Sequence, residues 1–333
     1  MPFARSLGLV FVMDPIDVID VTKDTTFALM LEAQGRGHRV LYANPGDLSA
    51  DDGRALARLR TVTLRREQGR HAELGPPQSA VLDDVADVVF QRKDPPVDAE
   101  YVTSTQILGL CRRAVVLNRP AAILAFNEKL FALHFADLMA ETRVTRRIPE
   151  LVDFLAKVGG DMIVKPLDGK GGEGIFHLKG NDRNLFSILE QATRFETRWT
   201  MAQRYLPEVR RGDKRILLLD GEPLGAVLRV PREGETRANL HVGGTALPTT
   251  LDADDRRIVE RLAPVLRREG LFFVGIDVIG GRLTEVNVTS PTGLQEIDTL
   301  EGVRLEARVL DAVEERARRS SGPGPAHARS SSP

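Results

Sequence analysis

Apolar residues divide this chain into three stretches of different character. In the first, apolar runs are continuous. Leu7 to Met13 reads as a strand buried on both faces. Thr25 to Gly35 places Phe27, Met30 and Leu31 at helical spacing and stops at glycine, and His38 to Ala43 is the next strand. Strand, helix and strand predict a βαβ unit with a parallel sheet. Residues 49–80 read as strands and loops. A strand over Asp84 to Phe90, a helix over Ala99 to Arg113 and a strand over Ala114 to Leu117 follow, with Pro95 and Pro96 fixing an extended turn. The middle stretch opens with one predicted helix, Ala121 to Leu138. It continues with a hairpin over Met162 to Phe176, a helix over Asn184 to Phe195 and a strand over Trp199 to Arg204, and Tyr205-Leu206-Pro207 reads as a hinge. The third stretch alternates: a hairpin of Arg215 to Leu219 with Leu224 to Val230, a polar loop from Arg232 to Gly244, and a helix over Ala253 to Arg268. A last hairpin pairs Phe272 to Ile279 with Leu283 to Val288, and a final helix spans Leu305 to Arg318. The pattern as a whole is α/β (α+β). The tail from Ser320 is rich in Ser, Pro, Gly and Ala and is expected to be disordered.

Composition narrows the function classes. A net charge of −1 over 333 residues provides no field of one sign for nucleic acid or a membrane surface. No apolar run approaches a membrane span, and the run after Arg5 ends in Asp14-Pro15 without a small-residue cleavage site, so it reads as a strand. The single cysteine, Cys111, excludes an internal disulfide and fits a reducing, cytoplasmic setting. No Cys/His or Ser/His/Asp arrangement stands out, and His134 and His241 are the histidines weighed for catalysis; His134 sits among apolar residues and suits a core or interface role.

Two segments carry candidate chemistry. The first is Met162-Ile163-Val164-Lys165-Pro166 running into a turn that holds Gly169, Gly171, Gly172 and Gly174. Glycine lets backbone N–H groups approach phosphate without a Cβ in the way, and a lysine at the strand end adds a point charge. A strand follows this loop instead of a helix, so it is neither a Walker loop nor a dinucleotide fingerprint. The second segment is the last hairpin, with Asp277, Glu285 and Asn287. A three-residue Gly280-Gly281-Arg282 loop would pair Asp277 with Glu285 and put all three oxygen donors on one face. A two-residue Gly280-Gly281 turn would put the carboxylates on opposite faces. Such a donor set suits Mg²⁺ shared with substrate phosphates. Arg215 and Arg229, set in apolar strands, together with Arg237, Lys129 and Lys165, provide the positive charge that phosphoryl transfer requires.

At these residues the chain resembles the ATP-grasp superfamily, and in particular the prokaryotic-type glutathione synthetases. The matching segments include DPI, RKDPP, FNEKLF, IVKPLDGKGGEGIF, MAQRYLP, the EGETRANL loop and NVTSPTG, and they cover about residues 8 to 316. The resemblance implies an ATP-grasp fold behind a Rossmann-like N-terminal domain, with domains over 1–121, 122–202 and 203–318 and a tail over 319–333. It implies that Lys129, Lys165, the loop from Gly169 to Gly174, Gln203, Tyr205, Leu206 and Asp213 bind ATP. It assigns Asp277, Glu285 and Asn287 to Mg²⁺ or Mn²⁺, Arg215, Arg229 and Arg237 to catalysis, and Lys23, Ser290 and Thr292 to substrate. The implied substrates are ATP, γ-glutamylcysteine and glycine, joined through an acyl phosphate, in a cytoplasmic homo-oligomer, dimer or tetramer, with no nucleic acid or membrane partner. A sister ligase with another acid or amine, and a non-catalytic nucleotide sensor, are the alternative readings. Lys170, Arg204 and the segment Thr245 to Thr249 depart from the usual pattern.

Overall fold

Residues 5–169, 171–235, 237 and 243–320 are described by a computed structural model. The predicted tail beyond Ser320, Lys170, His241 and part of the lid loop lie outside these residues, and helix α9 takes in Ser320, where the tail was expected to begin.

The first sheet grows from the continuous apolar runs. Its centre is β1 (Gly8–Val12), flanked in parallel by β2 (Arg39–Ala43) and β7 (Val88–Gln91), with β8 (Val115–Leu117) beyond β7. Between them lie β3 (Leu48–Asp51), β4 (Arg54–Leu64), β5 (Ala72–Leu74) and β6 (Gln78–Val81), which pair antiparallel around β4 and extend the sheet past β2. Every residue of β1 is buried, and Phe11 stacks on Phe90 at 4.5 Å. Helix α1 (Thr25–Gly35) starts where Asp24 accepts the Phe27 amide at 2.6 Å, as an N-cap carboxylate should.

Three predicted boundaries differ. The segment read as a strand from Asp84 begins instead with a helical turn, α2 (Leu82–Val85), and the strand runs only from Val88. Asp83 accepts the amides of Arg112, Arg113 and Ala114, which fixes that turn against the next strand. Helix α3 (Ala99–Leu108) stops at Gly109, short of Arg113. The helix expected over Ala121 to Leu138 is broken: α4 (Pro120–Ala125) is followed by a turn and then a 3-10 segment, Phe131–Leu138. The break is local chemistry, because Asn127 Oδ1 takes the amides of Lys129 and Leu130 that a continuous helix would use internally.

The middle sheet contains β9 (Thr142–Thr145), β10 (Asp161–Pro166), β11 (Phe176–Lys179) and β12 (Thr200–Arg204), in the order β11-β10-β12-β9, all antiparallel. Helices α5 (Ile148–Lys157) and α6 (Leu185–Thr193) cover one face and share with it a core around Leu151, Phe154, Met162, Val164 and Leu178. Side chains alternate along β10, so Ile163 and Lys165 face the other way.

The third sheet contains β13 (Asp213–Leu219), β14 (Glu222–Val230), β15 (Thr245–Pro248), β16 (Phe273–Ile279) and β17 (Arg282–Asn287), in the order β15-β14-β13-β16-β17. Helix α7 (Ala253–Glu269) packs Ile258, Leu262 and Leu266 against Ile216, Leu218, Ile276 and Val286. Helices α8 (Leu294–Glu301) and α9 (Leu305–Ser320) close the chain. Helix α9 returns to the first region, where Val309, Leu310 and Val313 join the core of α1 and β1. Arg36 there meets Glu314 at 2.9 Å and Asp311 at 2.7 Å. Asn118 ties the first and third sheets together, giving its amide hydrogens to Phe273 and Val288 carbonyls and accepting the Phe273 amide.

Candidate active site

The face of the third sheet opposite α7 carries the charges. Register sets Arg215 opposite Asp277, Asp213 opposite Arg229, Asp277 opposite Glu285 and Gly275 opposite Asn287. The turn is the two-residue Gly280-Gly281 form, with Ile279 paired to Arg282. That turn alone would have split the carboxylates between faces. A β-bulge corrects the phase: Val278 pairs with Leu283 and Asp277 with Glu285, so Thr284 is the extra residue. Its hydroxyl donates to the Asp277 carbonyl at 3.1 Å.

The side chains form one buried network. Asp277 accepts from Arg215 Nε at 2.5 Å and Nη2 at 3.0 Å, and lies 3.0 Å from Arg229. Burial opposes its charge, but the two guanidinium groups hold its carboxyl well below the usual range. Asp213 accepts from Arg229 at 2.5 Å, yet burial pushes it up to about 6. Its Oδ1 and Arg229 Nε are buried without hydrogen-bond partners. Lys129 reaches Glu285 at 2.9 Å and the Gly169 carbonyl at 2.8 Å. Burial works against the Lys129 ammonium, but Glu285 outweighs it and the pKa rises. At Lys165 burial, helped by the neighbouring Lys129 charge, outweighs the acids and pushes the ammonium pKa down; its Nζ donates to the Thr284 carbonyl at 3.2 Å.

A cleft of about 700 Å³ lies between the middle and third sheets and runs to the first. Every site residue singled out in the sequence lines it except Gly174. Gly174 takes φ +69°, and a Cβ there would stand 3.2 Å from Pro166, so its part is to shape the loop. Arg237 ion-pairs with Glu235 at 2.7 Å and reaches the Gly172 carbonyl at 3.3 Å, linking the lid to the glycine loop. Gln203 donates to Thr142 at 3.0 Å, and Tyr205 stacks on His177 at 4.0 Å.

Two lining residues were missed by the sequence reading. Glu128 Oε1 accepts the Val288 and Thr289 amides and the Thr289 hydroxyl, and so fixes the strand end beyond Asn287. Its place next to Lys129 in FNEKLF was the available signal. Glu296, in the first turn of α8, had no signal beyond its closeness to Ser290 and Thr292.

The two facing sheets, with the glycine-rich hairpin on one and the paired acids and arginines on the other, define an ATP-grasp ligase. Solved structures share the architecture. The D-cycloserine synthetase DcsG superposes with a TM-score of 0.66 at 16% identity, over 93% of this chain and 100% of that one. The ATP-grasp ligase PsnB, in complex with its precursor peptide PsnA2 and AMPPNP, gives 0.59 at 16% identity, over 94% and 99%. Family models for the prokaryotic glutathione synthetase match residues 7–123 (N-terminal domain) and 128–302 (ATP-grasp domain). The chain is 47% identical to the glutathione synthetase of Gloeobacter violaceus, over 94% of this chain and 98% of that protein. It is 44% identical to that of Salmonella typhimurium, over 93% and 99%. The chain belongs to the prokaryotic glutathione synthetase family, and is an ATP-dependent ligase of glutathione synthesis. The sister-ligase and sensor alternatives are not favoured. No helix of the described residues is long and apolar enough to cross a membrane.

Proposed function

We propose that the cleft joins γ-L-glutamyl-L-cysteine to glycine, and that the residues singled out above divide the work. Lys129 and Lys165 hold the ATP phosphates under the loop of Gly169, Gly171, Gly172 and Gly174. Gln203, Tyr205 and Leu206 border the adenine, and the open oxygen of Asp213 takes a ribose hydroxyl. The cysteinyl carboxylate of the donor attacks the γ-phosphorus and ADP leaves. The glycine amine, having lost a proton, then attacks the acyl carbon and phosphate leaves. Arg215 and Arg229 face the transferred phosphoryl group, where fixed positive charge lowers the barrier more than it would in water. Arg237 closes the lid and keeps water from the acyl phosphate. Ser290 and Thr292, on a turn held through the Thr292 carbonyl by Arg215, bind the peptide with Lys23.

Asp277, Glu285 and Asn287 fit a divalent cation. They offer hard oxygens, and both carboxylates are held ionised, each with its pKa lowered by neighbouring cations against burial. Asn287 uses its Nδ2 on Gly275 at 3.3 Å, which leaves the amide oxygen. The described residues contain no cluster of three His, Cys, Asp or Glu able to hold a metal; in this reading the Asn287 amide oxygen is the third donor. Bound Mg²⁺ or Mn²⁺ would neutralise phosphate charge as it shifts to the leaving group. We further propose the domain limits 1–121, 122–202 and 203–318, a cytoplasmic location and a homo-oligomer.

The observation that carries this reading is the bulge-corrected alignment of Asp277 with Glu285 beside Arg215 and Arg229. The test is ADP release with Mg-ATP and γ-glutamylcysteine, with and without glycine. Glycine-dependent ADP and glutathione, lost on chelation, are expected. ADP release independent of glycine would overturn the acceptor, and turnover unaffected by chelation would overturn the metal.

A further inference from the structure

Strand β17 ends its sheet, and among the described residues no strand lies along its outer edge, which Met139 touches through a single bridge to Leu283. Asn287 is the last residue of that strand and pairs with Gly275 on the inner edge. Backbone amides on an open edge need partners from outside the sheet. Here one residue supplies them. The Glu128 carbonyl accepts the Val286 amide at 3.0 Å. Its Oε1 accepts the Val288 amide at 2.9 Å, the Thr289 amide at 3.1 Å and the Thr289 hydroxyl at 2.8 Å. Glu128 thus stands in for a neighbouring strand at the two residues that flank Asn287. Val286 and Val288 pack into the core beneath α7. Alternation then turns Asn287 to the other face, where its Nδ2 lies 3.5 Å from the Asp277 carboxylate.

The same turn reaches the opposite wall. Asn127 donates to the Leu167 carbonyl at 3.0 Å, and Lys129 to the Gly169 carbonyl at 2.8 Å and to Glu285 at 2.9 Å. Three consecutive residues therefore fix the glycine loop, Glu285 and Asn287 relative to one another.

We propose that Glu128 is a positioning residue for the divalent-cation site. It holds Asn287 in register with Asp277 and Glu285 and ties that register to Lys129. This rests on the cation reading above. Reach is what the position demands, because one oxygen must span from the turn to two successive amides. An uncharged acceptor at the same distance still satisfies both, whereas a shorter side chain leaves them without a partner.

The test is Mn²⁺ titrated into the purified enzyme with a non-hydrolysable ATP analogue, followed by electron paramagnetic resonance, with KM for γ-glutamylcysteine measured alongside. Glu128→Gln keeps the reach and loses the charge, and should bind Mn²⁺ much as the unmodified enzyme does. Glu128→Asp keeps the charge and shortens the reach by one methylene, and Glu128→Ala removes the acceptor. Both should weaken Mn²⁺ binding roughly 10- to 100-fold, the span over which the supports of metal ligands act; either serves if the other fails to fold. Their KM for γ-glutamylcysteine should be unchanged, since the turn that follows is held separately, by Arg92 on the Pro291 carbonyl and Arg215 on the Thr292 carbonyl. Unchanged Mn²⁺ affinity in the short variants, or a glutamine variant as weak as they are, would overturn the proposal. So would equal losses in Mn²⁺ affinity and donor KM. Absence of Mn²⁺ binding by the unmodified enzyme would instead remove the cation reading beneath it.

Discussion

The two walls of the cleft are built on opposite plans. The third sheet presents Asp213, Arg215, Arg229 and Asp277 already paired and buried, and Glu285 half-buried against Lys129, with the metal-ligand candidates in register before any ligand arrives. The middle sheet has a core of its own, and polar links across the cleft include Lys165 to Thr284 and Arg237 to Gly172, with Lys129 to Gly169 and Asn127 to Leu167 from the segment between α4 and the 3-10 turn. One wall spends its stability on preorganised charge, while the other is a cover attached at a few points. Charge that must act in a transition state is most effective when fixed, and a cover that must admit ATP is most useful when loosely held.

The strongest challenge to this contrast is Asp277→Ala. It should lower kcat roughly 1,000-fold. It should also destabilise the fold by about 3–5 kcal/mol, since Arg215 and Arg229 would be left buried around a missing partner. Activity assays and urea unfolding check both; a loss of turnover with unchanged stability would mean that the network is not preorganised. On the cover, Arg237→Ala should fold normally and uncouple the enzyme. The ratio of ADP to glutathione should rise above one as water reaches the acyl phosphate, measured by product quantification. Gly174→Ala should act on the cover alone. Forcing a Cβ onto φ +69° against Pro166 costs about 1 kcal/mol, hence roughly a five-fold rise in KM for ATP with unfolding unchanged.

The smallest effect lies outside both walls. Asp298 accepts the Leu305 amide at 2.8 Å, and burial together with Glu306 pushes its carboxyl up to about 7. A raised carboxyl binds a proton in the folded state that the unfolded chain has already released. Its stabilisation is therefore complete below about pH 4, the unfolded value, and lost as pH rises through about 7. The melting temperature should fall between pH 5 and 8, by thermal denaturation, and Asp298→Asn should flatten that fall.

The sequence made the walls legible but not the way they interlock. Glycine spacing and strand alternation were enough to place the Gly169 to Gly174 loop and the Asp277 hairpin, because both are local. The phase of that hairpin was not readable from its turn, since a bulge at Thr284 undoes what a two-residue turn imposes, and bulges leave no compositional trace. The helix expected through Leu138 failed at Asn127, where a side chain competing for backbone amides outweighed periodicity. Glu128 escaped because its role depends on partners more than a hundred residues away. The ion pairs across β13, β14 and β16 belong to the same class: strand order, not sequence spacing, brings them together.

Helix α9 adds a consequence in time. β1 and α1 leave the ribosome well before Val309, Leu310 and Val313, which complete their core. Synthesis and completion thus run in opposite directions. The nascent first sheet must wait, with part of the apolar surface of α1 uncovered, until α9 has been made. A stop codon before Leu305 would therefore strip not the end of the molecule but its beginning.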